Sequence, residues 1–99
     1  PIEVKRLEIA RALACKPKVI LLDEPAAGAR GQDIKLLSKI IREIRKMGIT
    51  IILVEHRMDV IVRTVERLIV MNRGSKIIEG NPSEVLNSEV VKEIYLGST

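Results

Sequence analysis

Two short runs rich in branched aliphatic residues, each followed directly by an acidic residue, constrain the fold of this chain more than any other feature. Residues 18–22 precede an Asp-Glu pair, and residues 49–54 precede a Glu-His pair. Their length and β-branched composition predict strands, of which the first is expected to be buried on both faces. Both runs are far shorter than the roughly 18 apolar residues that a membrane-spanning helix requires.

Segments with helical periodicity flank the two predicted strands. Apolar residues three and four positions apart predict a helix over residues 2–15, which Pro17 ends because the residue before a proline avoids helical geometry. Four residues of this helix are expected to form its apolar face: Leu7, Ala10, Leu13 and Ala14. The single cysteine, Cys15, excludes an internal disulfide and is expected to be a small buried side chain.

A second helix is predicted between the strands, over residues 33–47. Its apolar stripe comprises Ile34, Leu37, Ile41 and Ile44, and Gly48 is expected to follow it in a left-handed cap. The lysine and arginine residues on its other faces are interpreted as solvated surface rather than as a phosphate-binding stripe. Strands that alternate with helices predict an α/β fold with a parallel sheet.

The remainder of the chain predicts a helix, a hairpin and two further helices. In order, these are a helix over residues 58–65, hairpin strands over residues 68–71 and 76–79, a short helix that Asn81 caps and Pro82 begins, and a last helix over residues 88–95 that Gly97 closes.

Composition limits what the chain is expected to bind. At 99 residues it is at most one domain, and 46% hydrophobic with 30% charged residues is typical of a globular chain. Tyr95 is the only aromatic residue, which argues against nucleic-acid binding by base stacking. The net charge of +4 suits an anionic ligand or a membrane-adjacent surface, and solvated helix faces account for it equally well. Because the chain begins at Pro1 rather than Met, a fragment or trimmed product is expected.

Chemically reactive residues follow the predicted strands directly. Ligands of parallel α/β sheets bind beyond the carboxyl ends of the strands, where Asp23, Glu24, Glu55 and His56 are placed. Carboxylate oxygens suit a hard cation such as Mg²⁺, and a second carboxylate can activate a water molecule. The alternative is that the two acids after the first strand are solvated and merely end the sheet. His56, the only histidine, is likewise either part of this site or a structural or exposed side chain.

Four segments resemble motifs of the ABC-type ATPases. Residues 19–25, VILLDEP, resemble the Walker B motif, and residues 7–13 resemble the helix that follows the signature motif. Residues 52–56, ILVEH, resemble the strand that leads to the switch histidine, and residues 70–80 resemble the hairpin that follows it in transporter ATPases. The resemblance implies a partial P-loop NTPase-type parallel sheet with flanking helices, followed by a C-terminal β-hairpin and helices.

Within this family the chain looks most similar to the ATP-binding subunits of branched-chain amino-acid importers. Residues 23–28, DEPAAG, residues 55–58, EHRM, and residues 90–97, VVKEIYLG, fit that subgroup. Related exporters of polar lipids share similar endings. Import of branched-chain amino acids is therefore the function that the resemblance implies.

The resemblance also implies a role for each residue that matches a motif. Asp23 is expected to hold Mg²⁺ through water, Glu24 to polarise the attacking water as general base, and His56 to contact the γ-phosphate of ATP. Gly28 is expected to be a cofactor-binding residue. Residues 27–30 stand where the family has its D-loop, which communicates across a dimer. Arg30 stands where this loop usually has Asp or Asn.

Two motifs of the family are missing from the sequence. The chain has no Gly-x-x-x-x-Gly-Lys-Ser/Thr phosphate loop, and the signature glycines would fall near Pro1 and Ile2. Residues 1–99 are therefore expected to be the C-terminal part of one nucleotide-binding domain, without appreciable ATPase activity alone. The strand that carries the missing loop normally pairs within this sheet, so an unpaired sheet edge and bare apolar helix faces are expected.

The family resemblance implies partners as well. The expected setting is a dimer with a second ATPase subunit, docked on membrane permease subunits at the cytoplasmic face of the cell membrane, with no nucleic-acid partner. The alternative is a non-catalytic truncated interaction module that pairs with another ATPase subunit or half-domain. A DNA-repair or chromosome-organising ATPase of the same type also fits the Asp-Glu pair and the basic charge, but the hairpin with Gly74 and the Tyr-Leu-Gly ending favour transport.

Overall fold

The computed structural model describes residues 2–95, and the described chain contains helices and strands in alternation followed by a hairpin. In chain order the elements are α1 (Ile2–Ala14), β1 (Val19–Asp23), α2 (Gly31–Lys46), β2 (Thr50–Val54), α3 (Met58–Thr64), β3 (Leu68–Asn72), β4 (Ser75–Gly80), α4 (Pro82–Leu86) and α5 (Glu89–Tyr95). Each predicted helix and strand is present. The chain divides into two compact units between residues 64 and 65. Across residues 2–95, no helix has both the length and the apolar character needed to cross a bilayer.

β1 and β2 form the parallel pair that the alternation of elements predicts. Val19 pairs with Thr50 at one end, and Asp23 pairs with Val54 at the other. Helix α2 connects the two strands, because a parallel pairing requires the chain to return to the starting end of the sheet. The carboxyl ends of both strands therefore lie side by side, and the residues that follow them are brought together.

The core of the first unit lies on one face of this sheet. Its buried residues are Ile9, Ile20, Leu22, Ala26, Ile34, Leu37, Ile41, Ile44 and Val60. The residues from α2 are the predicted apolar stripe, which a spacing of three and four positions places along one side of the helix. Gly48 has a φ of +83°, and its N–H donates to the carbonyl oxygen of Arg45 over 2.9 Å. This geometry confirms the predicted left-handed end of α2.

The prediction that the first strand is buried on both faces is wrong. Ile20 and Leu22 are buried, whereas Leu21 between them is 71% exposed. Alternate side chains of a strand point to opposite faces, and only one face of this sheet is covered within the described chain. The exposed apolar residues of the other side, here called the bare sheet face, are Val19, Leu21, Ile52 and Val54. Each strand of the pair has one hydrogen-bonded neighbour among the described residues, so the predicted unpaired edge is present.

Helix α1 turns a different face to the core than the one predicted. Leu7 is 62% exposed, and of the predicted face only Leu13 packs against the core. The residues of α1 that contact the core share the same spacing of three and four positions: Ile9, Ala12 and Leu13. Periodicity alone allows both stripes, so the packing partner decides between them. Cys15 follows α1 beyond this stripe, and it is exposed rather than buried as predicted.

The second unit consists of the β3–β4 hairpin and helices α4 and α5. The two strands are antiparallel, and the turn between them places Arg73 at φ +50° and Gly74 at φ +82°. Two positive φ values are what a type I′ hairpin turn requires, which confirms the predicted loop. Asn81 accepts a hydrogen bond from the Ser83 N–H over 3.0 Å and so caps α4 as predicted. Buried Val70, Val85 and Val91 form the core of this unit. The predicted closure of the last helix by Gly97 lies outside the described residues.

Candidate functional site

Two adjacent acidic residues end β1 and begin the loop behind it. Asp23 is the last residue of the strand and is exposed, whereas Glu24 adopts a left-handed backbone conformation with φ +46°. The Glu24 N–H donates to the carbonyl oxygen of Val54 over 2.7 Å. A non-glycine residue in this conformation costs about 1 kcal/mol or more, and such residues cluster at functional sites. The pairing of the two strand ends therefore holds Glu24 in a strained turn.

The side chains of Glu24 and His56 meet across the ends of the two strands. Nδ1 of His56 lies 2.5 Å from Oε1 of Glu24. The side chains are 46% exposed for Glu24 and 70% exposed for His56, so water screens the pair and reduces its contribution to stability. The carboxylate can accept a proton, and its hydrogen bond to Nδ1 orients the imidazole ring. The predicted placement of these two residues at one edge of the sheet is confirmed, and their roles stay predictions.

Glu55 is a member of the site to which the sequence assigned no role. Its side chain is only 1% exposed. Oε2 accepts a hydrogen bond from the Ala26 N–H over 3.2 Å, and Oε1 accepts one from the His56 N–H over 3.2 Å. Burial of a carboxylate is expensive without such donors, and these bonds tie the loop after β1 to the end of β2. The sequence carries one signal for Glu55: an acidic residue stands between an apolar strand and the only histidine of the chain.

Arg57 is a second residue to which the sequence assigned no role. Its Nη1 donates to the carbonyl oxygens of Ala26 over 3.0 Å and Ala29 over 2.6 Å, and its Nη2 lies 3.1 Å from Oδ2 of Asp59. The fixed fan of donors on a guanidinium makes three such contacts from one side chain. Because the two carbonyl groups are 31 and 28 residues away in the sequence, no local pattern distinguishes Arg57 from a solvated arginine.

The loop that Arg57 holds contains the predicted cofactor residue Gly28. Gly28 has a φ of +75°, and open space surrounds the position where a side chain would begin. The glycine is therefore required by its backbone conformation rather than by close packing within the described chain. Arg30 has an extended backbone and directly precedes α2 without capping it through its side chain. Binding of a cofactor by Gly28 stays a prediction.

A groove of about 230 Å³ lies between α1 and β1. Lys5, Glu8, Leu21 and Asp23 are among the residues that line it. Pockets that enclose a small-molecule ligand usually measure about 300–1,000 Å³. The Asp23 carboxylate is thus open to solvent, and this groove is smaller than the pockets that usually enclose a ligand.

Comparison with curated proteins finds relatives along almost the whole chain, although no family model matches. The lipopolysaccharide export system ATP-binding protein LptB of Haemophilus influenzae is 41% identical over 95 residues, which are 96% of this chain and 39% of that protein. The probable branched-chain amino acid transport ATP-binding protein LivG of Archaeoglobus fulgidus is 36% identical over 96 residues, which are 97% of this chain and 37% of that protein.

Comparison with solved structures finds the same kind of protein as comparison with curated sequences. A solved ATP-binding cassette of an ABC transporter superposes with a TM-score of 0.88 and 36% identity, covering 97% of this chain and 40% of that one. The ADP conformation of the same cassette superposes with a TM-score of 0.83, covering 98% of this chain and 40% of that one. The chain thus spans about 40% of the length of the proteins that it matches. These superpositions confirm the predicted P-loop NTPase-type α/β fold.

Proposed function

Because this chain is homologous to part of the ABC transporter ATP-binding proteins, we propose that it supplies the general base and the switch histidine of an ATP-hydrolysing site. The observation that carries the proposal is the 2.5 Å contact between Oε1 of Glu24 and Nδ1 of His56. The two residues come from different strand ends, and both side chains remain accessible to a substrate. This arrangement supports water activation beside a phosphoryl group.

Each of the two side chains has a separate task in the proposed reaction. The Glu24 carboxylate accepts the proton of the attacking water. His56 donates from Nδ1 to Glu24, and its second ring nitrogen, Nε2, is the one that contacts a phosphate oxygen. Positioning and electrostatic stabilisation of this kind account for most of the catalysis in phosphoryl transfer.

Asp23 is proposed to hold the magnesium ion of Mg-ATP, with Gly28 in the adjoining nucleotide-facing loop. The exposed carboxylate of Asp23 fits this role, because Mg²⁺ prefers carboxylate and water oxygens. The ion, when bound, neutralises negative charge on the phosphate groups. The phosphate-cradling loop is proposed to come from outside the sequence described, since the sequence contains no such motif.

The proposed setting is a transporter with two ATP-binding subunits and membrane permease subunits, at the cytoplasmic face of the membrane. We propose branched-chain amino acids as the imported substrate, which the name of the LivG relative supports. The name of the LptB relative supports lipopolysaccharide export instead. Uptake of radiolabelled leucine in a host whose LivG carries this chain in place of the matching segment tests this choice.

The reaction is tested by measuring ATP turnover with and without a phosphate loop in trans. The chain alone is expected to show only background turnover. Mixed with a purified segment of a LivG relative that carries the phosphate loop, it is expected to turn over ATP, and Glu24→Gln is expected to remove that activity. Lys39→Gln, an exposed change on α2, is the matched control. Turnover by the chain alone that is lost on Glu24→Gln would contradict the proposed incompleteness.

The second candidate function is a non-catalytic interaction module that pairs with another ATPase subunit or half-domain. The observation that favours it is the bare sheet face, where four large apolar side chains lie exposed on one side of the sheet. Exposed apolar patches of this kind mark surfaces that bind another polypeptide. Binding of the LivG segment without any ATP turnover, and without an effect of Glu24→Gln, would favour this candidate over hydrolysis.

A further inference from the structure

Three side chains at the ends of β1 and β2 place metal-binding atoms close together. Glu24, Glu55 and His56 each offer one ligand atom, and these atoms lie within 4.8 Å of one another. We propose that this cluster, here called the Glu-Glu-His cluster, binds a divalent transition-metal ion of the zinc type. The binding is a property of these residues alone and does not rest on the proposed function.

The donor set selects the class of ion. One imidazole nitrogen and two carboxylate oxygens form a mixed nitrogen and oxygen set, which suits Zn²⁺ and its neighbours in the first transition series. Mg²⁺ and Ca²⁺ prefer oxygen ligands throughout, so the imidazole disfavours them here. Three protein ligands leave one position of a tetrahedral zinc site open to water.

The distances place the ion between the histidine and the two carboxylates. Nδ1 of His56 lies 2.5 Å from Oε1 of Glu24 and 4.0 Å from Oε1 of Glu55. The ion takes the place of the hydrogen in the contact between Glu24 and His56. Both of these side chains are partly exposed, so their rotamers can adjust to the wider spacing of two ligands on one metal.

The buried carboxylate of Glu55 is the feature that points to a cation. With 1% of its side chain exposed, Glu55 pairs with two neutral backbone N–H groups and with His56, and no lysine or arginine among residues 2–95 forms an ion pair with it. The two N–H donors offset part of the cost of burying this negative charge, and a bound divalent ion lowers that cost further. Each carboxylate oxygen has two lone pairs. Oε1 of Glu55 can therefore accept a hydrogen bond from the backbone N–H of His56 and bind a metal ion at the same time.

Titration calorimetry of the purified chain with ZnCl₂, in a buffer that does not chelate metals, tests the site. We expect one equivalent of Zn²⁺ to bind. His56→Ala and Glu24→Gln each remove a ligand from an exposed position and are expected to weaken binding at least about tenfold, since even loss of an outer-shell partner costs 10–100-fold. Glu55→Gln tests the buried ligand, with circular dichroism to show that this variant folds.

Two control variants and one competing ion exclude other origins of the binding. Cys15→Ser removes the only thiol, and Glu43→Gln removes an exposed carboxylate on α2 outside the cluster, so both are expected to leave the affinity unchanged. An excess of Mg²⁺ is expected not to displace Zn²⁺. The proposal is overturned by absence of binding, by unchanged affinity in His56→Ala and Glu24→Gln, by loss of binding in Cys15→Ser, or by displacement with Mg²⁺.

The site has one consequence that rests on the proposed function. A zinc ion on the cluster occupies the same carboxylate and imidazole that the proposed hydrolysis uses, so metal binding and ATP turnover exclude each other. The calorimetric result stands whether or not ATP turnover is found, because it measures the metal alone. A failure of the proposed function is thereby distinguishable from a failure of the metal site.

Discussion

The guanidinium of Arg57 donates to the carbonyl oxygen of Ala29 over 2.6 Å and so holds the loop after β1 against the segment after β2. The same nitrogen also donates to the carbonyl oxygen of Ala26. Together with the bond from the Ala26 N–H to Glu55, these contacts tie two loops that are far apart in the sequence. The loop that carries Glu24 is therefore positioned by residues on both sides of His56.

Removal of the Arg57 side chain is expected to loosen this loop. Arg57→Ala should lower the free energy of unfolding by about 1.5–3 kcal/mol, because hydrogen bonds from a charged group are lost at a partly buried position. Hydrogen exchange of the Ala29 amide should become faster. The matched control is Arg63→Ala, an exposed arginine on α3, and equal exchange rates in the two variants would contradict the prediction.

Ser38 is expected to be a position where an apolar residue stabilises the protein. Its side chain is buried in α2, and its Oγ has no hydrogen-bond partner among the described residues. Ser38→Ala should raise the free energy of unfolding by about 1 kcal/mol, since it removes an unsatisfied hydroxyl and introduces a better helix former. Urea denaturation measures the change.

The matched contrast to Ser38 is Thr64, which is buried to the same degree but satisfied. Thr64 Oγ1 donates to the carbonyl oxygen of Val60 over 2.7 Å. Thr64→Val removes that hydrogen bond and is expected to lower stability by about 1 kcal/mol. Destabilisation by both substitutions would contradict the distinction between the two hydroxyl groups.

Gly48 is expected to resist substitution because of its backbone alone. At φ +83° with open space around it, an added side chain meets a conformational cost but no clash. Gly48→Ala should lower the free energy of unfolding by about 1–2 kcal/mol. Gly48→Asn should cost less, because asparagine tolerates the left-handed region better than alanine. Thermal denaturation of the two variants tests this order, and an equal loss in both would contradict it.

Glu79 provides a pH-dependent contact in the second unit. Its hydrogen bond with Lys76 and the charge of Arg67 lower the pKa of its carboxyl group below the ordinary value. A pKa that is lower in the folded state favours folding above the unfolded pKa, and this contribution is lost as the pH falls through the folded pKa. Lys76→Gln is expected to raise the pKa of Glu79, which carbon NMR titration of the carboxyl group measures. An unchanged titration would contradict the assigned partner.

The bare sheet face is expected to cause self-association of the purified chain. Leu21, which is 71% exposed, lies opposite Ile52 in the register, so one charge there interrupts the apolar surface. Leu21→Lys should reduce the rise of apparent mass with concentration in light scattering. Met47→Lys, a change at another exposed apolar residue, should not. A clean monomer of the unmodified chain at high concentration would count against the prediction.

Local sequence patterns were sufficient to predict the elements of this fold. The left-handed Gly48 and the cap at Asn81 depend on contacts within a few residues, and so does the helical spacing that aligns the isoleucine and leucine stripe of α2. Such contacts are encoded in the neighbouring sequence, and the structure agrees at each of them. Sequence patterns gave the wrong face where two apolar stripes of one helix had the same spacing. In α1 the stripe through Ile9 packs against the core, whereas Leu7 of the predicted stripe is exposed.

The candidate site was predictable only in part for the same reason. The ends of adjacent parallel strands must lie together, so the sequence placed Glu24 and His56 at one edge of the sheet. The burial of Glu55 and the contacts of Arg57 arise from loops about 30 residues apart, and no local pattern encodes them.

The sequence by itself therefore determined the order of helices and strands, the parallel pairing, and the acids and histidine at the strand ends. Tertiary structure alone decided which face of β1 is covered, which stripe of α1 packs, and which charged side chains hold the loop after β1. Periodicity states that a side of an element is apolar, but burial requires a second surface to cover it. The covering surface comes from other parts of the folded chain, so the sequence of one helix or strand does not reveal it.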